Sequence, residues 1–165
     1  MIDYFIYDFN FSGRLLLEAD NDYLLKATWV KETETVSSKQ KSSNPILKET
    51  RQQLKHYELN KLTAFELPIK LKGSEFQISV WKQLMQIPYG QTISYKELAV
   101  KVGNNQAARA VGNANNKNPI SVIIPCHRVI QTGGKIGGYR GGISNKSNLL
   151  KIERVSFEYS KDLTK

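Results

Sequence analysis

The sequence predicts an α+β protein with a small N-terminal lobe, built on an antiparallel sheet with one helix, and a mostly helical C-terminal lobe. Apolar residues before Gly73 fall mainly in short extended runs, and after it they recur at helical spacing. The balance of basic and acidic residues also changes near Gly73. Residues 1–72 carry 11 Lys and Arg against 10 Asp and Glu, whereas residues 73–165 carry 13 against 5. We therefore predict a scaffold domain over 1–72 and a functional domain over 73–165.

The first lobe contains three predicted strands and one predicted helix. Short apolar runs bounded by polar turns predict strands at residues 2–8, 15–17 and 24–30. Pro45 suits the first position of a helix, with Asn44 as its N-cap, and this helix is expected to reach about Tyr57. Residues 65–71 read as an extended segment. No chemistry is indicated here, so this lobe is interpreted as scaffold.

Two capping boxes begin helices in the second lobe, Ser74 with Gln77 and Ser94 with Glu97. The helix after Ser94 is followed by a glycine-containing turn and a further helix over residues 106–115. Two short helices joined in this way indicate a helix-turn-helix, although helical hairpins without DNA binding share the pattern. A closing helix is predicted over residues 146–154.

The helix over residues 106–115 has one long basic side chain, Arg109, among alanines and a glycine. Small residues let a helix approach another backbone closely. Together with the positive charge of this lobe, they indicate a polyanionic partner, most simply nucleic acid. A basic surface that serves only solubility is the alternative.

Residues 124–129 (IPCHRV) contain the only cysteine of the chain, Cys126. A thiol with its ordinary pKa of about 8.5 is only a few per cent ionised at neutral pH. The neighbouring His127 and Arg128 supply groups that can raise that fraction. The apolar run 121–124 predicts a short buried strand that ends at Cys126. The alternative is a cysteine that only fills space in the core.

Residues 132–142 hold six glycines in eleven positions. A loop with so few side chains allows close approach to a flat ligand. Tyr139 and Arg140 then offer stacking and hydrogen bonding to a base. A plain flexible turn is the other interpretation.

Several classes are excluded by composition. No stretch approaches the roughly 20 apolar residues of a membrane span, and the N-terminus lacks the features of a signal peptide. A single cysteine excludes an internal disulfide and a multi-cysteine zinc site, which favours a cytoplasmic location.

The motifs at 124–129, at Asn118-Pro119 and at 107–112 (AARAVG) together resemble the O6-alkylguanine-DNA alkyltransferases, also called methylated-DNA–protein-cysteine methyltransferases. The resemblance covers roughly residues 76–153 and implies a ribonuclease H-like first lobe. It implies a monomer that binds the minor groove of double-stranded DNA and flips out O6-alkylguanine. The alkyl group then passes irreversibly to the protein, without metal or cofactor. The turn at 105–106 lacks the proline expected in this family.

The resemblance also implies a role for each site residue. Cys126 is the alkyl acceptor, and His127, oriented by Glu153, takes the thiol proton through a water. Tyr95 donates to the purine, and Arg109 replaces the flipped nucleotide in the stack. Further DNA contacts are expected from Ala107, Ala108, Gly112, Arg128 and Asn104. The substrate pocket is expected to include Tyr95, Asn118, Val129, Tyr139, Arg140 and Lys146.

Within the pocket, Asn118 is expected to brace the loop before the cysteine, and the Val129 backbone to accept from the guanine amino group. Tyr139 closes the pocket, the Arg140 backbone N–H faces the guanine oxygen, and Lys146 supports that loop. Three other classes stay open: a non-catalytic lesion sensor of the same fold, a Cys-His hydrolase, and a transcription regulator that uses the helix pair alone.

Overall fold

The computed structural model describes residues 1–33 and 43–160, which form two compact units. The first unit contains Met1–Leu71 together with Pro119–Ile123, and the second contains Lys72–Asn118 and the chain from Ile124 onward. The segment Pro119–Ile123, which the sequence places in the second lobe, therefore groups with the first unit. The functional division at residues 72 and 73 stays a prediction.

The first unit is a three-stranded antiparallel sheet with one helix. Its strands are β1 (Asp3–Asp8), β2 (Arg14–Ala19) and β3 (Leu24–Trp29), in the order β1-β2-β3. Leu15, Leu17 and Ala19 alternate inward along β2 and are fully buried. The helix α1 (Pro45–Glu58) begins as predicted, because the side chain of Asn44 accepts from two N–H groups of its first turn.

The predicted strand at 121–124 is wrong. Ile120 forms an isolated parallel bridge to Ala27 of β3, and Ser121 N–H donates to the Ala27 carbonyl at 2.9 Å. Val122 then turns the chain with a φ of +73°. Cys126 does not end a strand, because it begins a single 3-10 turn, Cys126–Arg128. A positive φ within an apolar, β-branched run breaks the strand in a way that residue pattern does not reveal.

The second unit is mainly helical. Its elements are α2 (Glu75–Leu84), β4 (Ile93–Ser94), α3 (Tyr95–Lys101), α4 (Ala108–Asn116), β5 (Val129–Ile130) and α5 (Ile143–Ile152). Both predicted capping boxes are confirmed. α2 and α3 each pack against α4, and the Trp81 indole donates to the Ala114 carbonyl at 2.9 Å. The short parallel pair β4-β5 was not predicted.

The closing helix α5 begins earlier than predicted and ends at Ile152, which places Glu153 at its C-cap. Across the ranges 1–33 and 43–160, no helix has the length and apolarity that crossing a membrane requires.

Ser94 should matter more to stability than a serine that lies in the first turn of a helix without capping it. Replacing Ser94 with Ala removes the reciprocal cap of the seven-residue helix α3 and should lower the free energy of unfolding by about 1 kcal/mol. Ser144, exposed in the first turn of α5, serves as the control, and Ser144→Ala should change it by less than about 0.5 kcal/mol. Urea denaturation measures both. Equal losses would show that the cap does not hold α3.

Candidate active site

The thiol of Cys126 is buried and held by hydrogen bonds from several directions. The residue is 6% exposed, and its S–H donates to the Tyr139 hydroxyl across 3.7 Å. Asn118 donates its amide to the Ile124 carbonyl at 2.7 Å and also bonds the thiol. Asn115 donates to the carbonyl of Cys126 itself at 3.4 Å. The thiol therefore has one defined position.

The electrostatic surroundings of this thiol differ from the sequence-based expectation. Burial raises the pKa of Cys126, and the Asn118 and Tyr139 hydrogen bonds and the Lys146 charge offset only part of that rise. His127 and Arg128, the predicted activating neighbours, make no hydrogen bond to the sulfur. The thiol is therefore protonated in the resting protein and needs a base to become a nucleophile.

Glu153 forms the centre of a buried polar network. One carboxylate oxygen lies 2.5 Å from His127 Nε2, and the other accepts from Arg128 Nε at 2.8 Å and from the Gly90 backbone N–H at 3.0 Å. Burial alone raises the pKa of Glu153, but the His127 and Arg128 donors outweigh it and hold that pKa well below its ordinary value. The carboxylate is therefore ionised.

An ionised Glu153 fixes the tautomer of His127. Because the carboxylate only accepts, Nε2 carries the hydrogen and Nδ1 keeps its lone pair. Burial lowers the pKa of His127 and outweighs the opposing effect of Glu153, so the ring is neutral. Within the described ranges, only His127 Nδ1 and Asn115 Oδ1 are buried side-chain nitrogen or oxygen atoms without a hydrogen-bond partner. His127 thus presents an available base.

Arg128 does not fit its predicted role in DNA binding. Its side chain is buried, donates to Glu153 at 2.8 Å, and donates to the Ile87 carbonyl at 2.7 Å. A guanidinium that is paired with a buried carboxylate cannot leave it for a phosphate without a large cost. Its structural role is to neutralise Glu153.

A cleft of about 580 Å³ in the second unit collects many of the predicted residues. Tyr95 lies in it, and burial raises the pKa of this phenol, which an ionised Cys126 would raise further, so its hydroxyl stays protonated. A methyl group added at Gly112 would lie 3.7 Å from the Tyr95 ring, an ordinary contact. Packing inside the protein therefore does not demand glycine there. The lining residues are Tyr95, Ala108, Arg109, Gly112, Asn113, Asn116, Gln131, Gly138, Tyr139 and Arg140.

The glycine-rich loop along this cleft is held from its α5 side by Lys146. This fully buried ammonium donates to the carbonyls of Val129 at 2.7 Å and Gly138 at 3.1 Å. Burial lowers the pKa of Lys146 to about 8, against a smaller opposing effect of Cys126. Arg140 donates weakly to the Asn116 carbonyl at 3.4 Å, which links the loop to the end of α4.

The start of α4 is exposed and has no side-chain cap. Ala107 occupies the N-cap position and makes no side-chain capping bond, and the Arg109 side chain is exposed. In the preceding turn, Asn104 accepts from the Gln106 backbone N–H at 3.0 Å. This bond closes the turn that lacks the family's proline. The first turn of α4 therefore presents backbone N–H groups beside a guanidinium.

Sequence reasoning missed several residues of the site. Asn115, Asn113 and Asn116 all lie on α4, where spacing on the helix offered a signal, since Asn115 follows the buried Val111 by one turn. Gln131 lines the cleft, and no sequence pattern marked it. No sequence pattern marked Tyr89 either, although its ring lies 5.9 Å from the Arg128 guanidinium.

The fold and site define a class of proteins in which a cysteine acceptor lies beside a cleft bordered by a basic helix pair. Known proteins specify the class further. The family models described as the DNA binding domain and the ribonuclease-like domain of 6-O-methylguanine DNA methyltransferase match residues 75–155 and 2–71. The chain belongs to the 6-O-methylguanine DNA methyltransferase family. The predicted family and the predicted α+β fold class are thereby confirmed.

Individual relatives agree. A methylated-DNA–protein-cysteine methyltransferase of Methanosarcina acetivorans is 41% identical over 143 residues, which cover 86% of this chain and 92% of that protein. A protein of the same name from Methanosarcina barkeri is 53% identical over 108 residues, or 66% and 68% of the two chains. The O6-methylguanine methyltransferase structure of Mycobacterium tuberculosis aligns over 100% of both chains, with a TM-score of 0.83 and 37% identity. The DNA complex of the same organism's OGT covers 92% and 93%, with a TM-score of 0.81 and 39% identity.

The neutral, buried His127 should make the fold sensitive to acid. Its pKa in the folded protein lies below the ordinary 6.5, so below that pH the unfolded chain binds a proton that the folded chain does not. The free energy of unfolding should decrease as the pH falls below 6.5, and decrease further below 4.5, where Glu153 of the unfolded chain is protonated. Urea denaturation from pH 4.5 to 7.5 measures the decrease in the free energy of unfolding between pH 6.5 and 4.5.

The chain has two histidines, which provides the control. His127→Gln should flatten the profile between pH 6.5 and 4.5, whereas His56→Gln should leave it as in the wild type. Arg128 and Lys146, the charged groups that oppose protonation of His127, are present in both variants. Identical pH slopes in the wild type and His127→Gln would contradict the assignment.

Proposed function

We propose that this protein repairs DNA by transferring the alkyl group of O6-alkylguanine irreversibly to Cys126, as a single-turnover methylated-DNA–protein-cysteine methyltransferase. The observation that carries this proposal is the position of the thiol. Its S–H donates to Tyr139, which lines the cleft, and Tyr95 lies on another part of the same lining. The Methanosarcina relatives carry the name of this activity, methylated-DNA–protein-cysteine methyltransferase.

The transfer is a single displacement. The Cys126 sulfur forms a bond to the alkyl carbon, the bond from that carbon to O6 breaks, and guanine keeps the electron pair. The thiol proton passes through a water to Nδ1 of His127, and Glu153 stabilises the imidazolium that forms. The Tyr95 hydroxyl donates its proton to the purine, so that the base leaves neutral, and the Tyr95 phenolate regains a proton from the His127 imidazolium through water. The product is a thioether, and no group of the site reverses it.

The glycine-rich loop supplies the binding contacts of the base. Tyr139 closes the pocket, the Arg140 backbone N–H points to the guanine oxygen, and Val129 offers its carbonyl to the guanine amino group. The Lys146 bonds to Val129 and Gly138 support this arrangement. No metal and no organic cofactor takes part in the proposed step.

DNA is bound by the α3–α4 helix pair, with Arg109 in the place of the flipped nucleotide. The uncapped first turn of α4, with Ala107 and Ala108, suits a phosphate oxygen. Gly112 leaves room where the helix meets DNA, which suits the minor groove. Asn104 is placed to contact the backbone beside it. We propose further that the protein acts as a monomer in the cytoplasm.

Competing functions are distinguished by the mass of the protein. A lesion sensor, a hydrolase or a regulator would leave that mass unchanged after mixing with alkylated duplex, whereas transfer adds one alkyl group. The presence of Cys126 itself favours transfer over sensing.

Cys126→Ser should abolish alkyl transfer while retaining binding to DNA. The hydroxyl is similar in size but scarcely ionises, and the expected phosphate contacts lie on α4. Intact mass after incubation with O6-methylguanine duplex and fluorescence anisotropy with the same duplex measure the two properties. Residual methyl transfer in this variant would overturn the assignment of the acceptor.

Arg109→Ala should impair the flipping of the alkylated nucleotide and leave the alkyl transfer itself nearly unchanged. Extruding a base costs on the order of a few kcal/mol, and the side chain that fills the gap offsets part of this. Repair of duplex should therefore slow by more than about tenfold, since about 1.4 kcal/mol is a factor of ten. Reaction with the free base O6-benzylguanine needs no flipping and should be nearly unchanged.

Lys82→Ala is the control for charge, because it removes an exposed cation from α2. It should weaken repair of duplex by much less than Arg109→Ala does. Equal losses on duplex and on O6-benzylguanine in Arg109→Ala would mean that Arg109 shapes the pocket and does not enter the stack.

A further inference from the structure

Residues 155–160, which we call the C-terminal segment, pair with the first half of the glycine-rich loop. Glu158 N–H donates to the Gly134 carbonyl at 3.0 Å, and Ile136 N–H donates to the Glu158 carbonyl at 2.8 Å. These two bonds enclose a parallel bridge between Lys135 and Glu158. The first half of the loop is thus fixed by backbone hydrogen bonds to residues far along the sequence.

Side chains anchor the same segment to the core of the second unit. Val155 and Phe157 pack against a buried cluster of Ile130, Ile136 and Leu150. The Tyr159 hydroxyl lies 2.8 Å from Ser147 Oγ on α5, within hydrogen-bond distance. The C-terminal segment is therefore an ordered part of the unit, attached to both β5 and α5.

At its end the segment reaches the cleft. Ser160 Oγ donates to Gln131 Oε1 at 3.2 Å and accepts from the Gly137 backbone N–H at 3.4 Å. Gln131 lines the cleft, and Gly137, with a φ of +70°, is where the chain turns into the loop that carries Tyr139. The Ser160 hydroxyl therefore joins the cleft wall to the start of the loop that carries Tyr139, which we call the substrate loop.

We infer that the C-terminal segment is a positioning element for the substrate loop, which sets the affinity for the alkylated base without entering the chemistry. This inference rests on the proposed function. A loop with so many glycines has little stiffness of its own. Lys146 holds it at Gly138, and the C-terminal segment holds the residues just before that point, through Gly134, Ile136 and Gly137.

The test compares two variants of one residue, Glu158→Pro and Glu158→Ala. Proline removes the N–H that bonds Gly134, whereas alanine removes only the side chain. The probe is O6-benzylguanine. The rate of single-turnover labelling of Cys126 is measured as a function of the O6-benzylguanine concentration. In Glu158→Pro the half-saturating concentration should rise about fivefold, as expected for the loss of one hydrogen bond. The limiting rate should stay within about twofold, because the His127–Glu153 pair and the Asn115 and Asn118 bonds beside Cys126 lie outside the loop.

Glu158→Ala should match the wild type in both quantities, and both variants should bind unmodified duplex equally well, because α3 and α4 carry that contact. If Glu158→Pro does not fold, Ser160→Ala replaces it, with the exposed Ser156→Ala as its control. An unchanged half-saturating concentration in the folded variant would overturn the inference, and so would a fall in the limiting rate alone. If the wild type does not take the benzyl group onto Cys126, the proposed function fails instead.

Discussion

The buried carboxylate of Glu153 holds together the polar network beside the thiol and fixes the tautomer of His127. It accepts from the adjacent residues His127 and Arg128 and from the Gly90 backbone, so two distant parts of the chain meet at this carboxylate. An unpaired carboxylate in this position would be too costly to bury, and the Arg128 guanidinium compensates it. With the charge of Glu153 already balanced by Arg128, burial is enough to keep His127 neutral.

The groups proposed to react are uncharged in the resting site. The Cys126 thiol and the Tyr95 phenol are both protonated, since burial raises each pKa, and His127 holds a free lone pair. Charge appears only when the thiol proton moves to His127 and the base accepts a hydrogen bond. A protonated, buried cysteine is a poor target for small electrophiles. This arrangement favours reaction only when a substrate fills the cleft and brings the alkyl carbon to the sulfur.

Local patterns predicted the elements but not the contacts between them. Asn44, Ser74 and Ser94 cap helices as expected, because a capping residue acts on its own first turn. Arg128 failed as a predicted DNA contact because its partner, Glu153, lies 25 residues away in sequence. The strand predicted before Cys126 failed because Val122 adopts a positive φ. The pairing of Glu158 with Gly134 and Ile136 is equally non-local, and no residue pattern indicates it.

One helix, α4, connects the surface expected to meet DNA with the buried site. Arg109 is exposed near its start, and Asn115 near its end donates to the Cys126 carbonyl. Six residues separate the two, a rise of about 9 Å along the axis. The packing of α4 against α2 and α3 keeps this distance constant. A nucleotide displaced by Arg109, as proposed, would therefore leave the duplex at a fixed distance from the sulfur, because Arg109 and the Asn115 that bonds the Cys126 carbonyl lie on one helix.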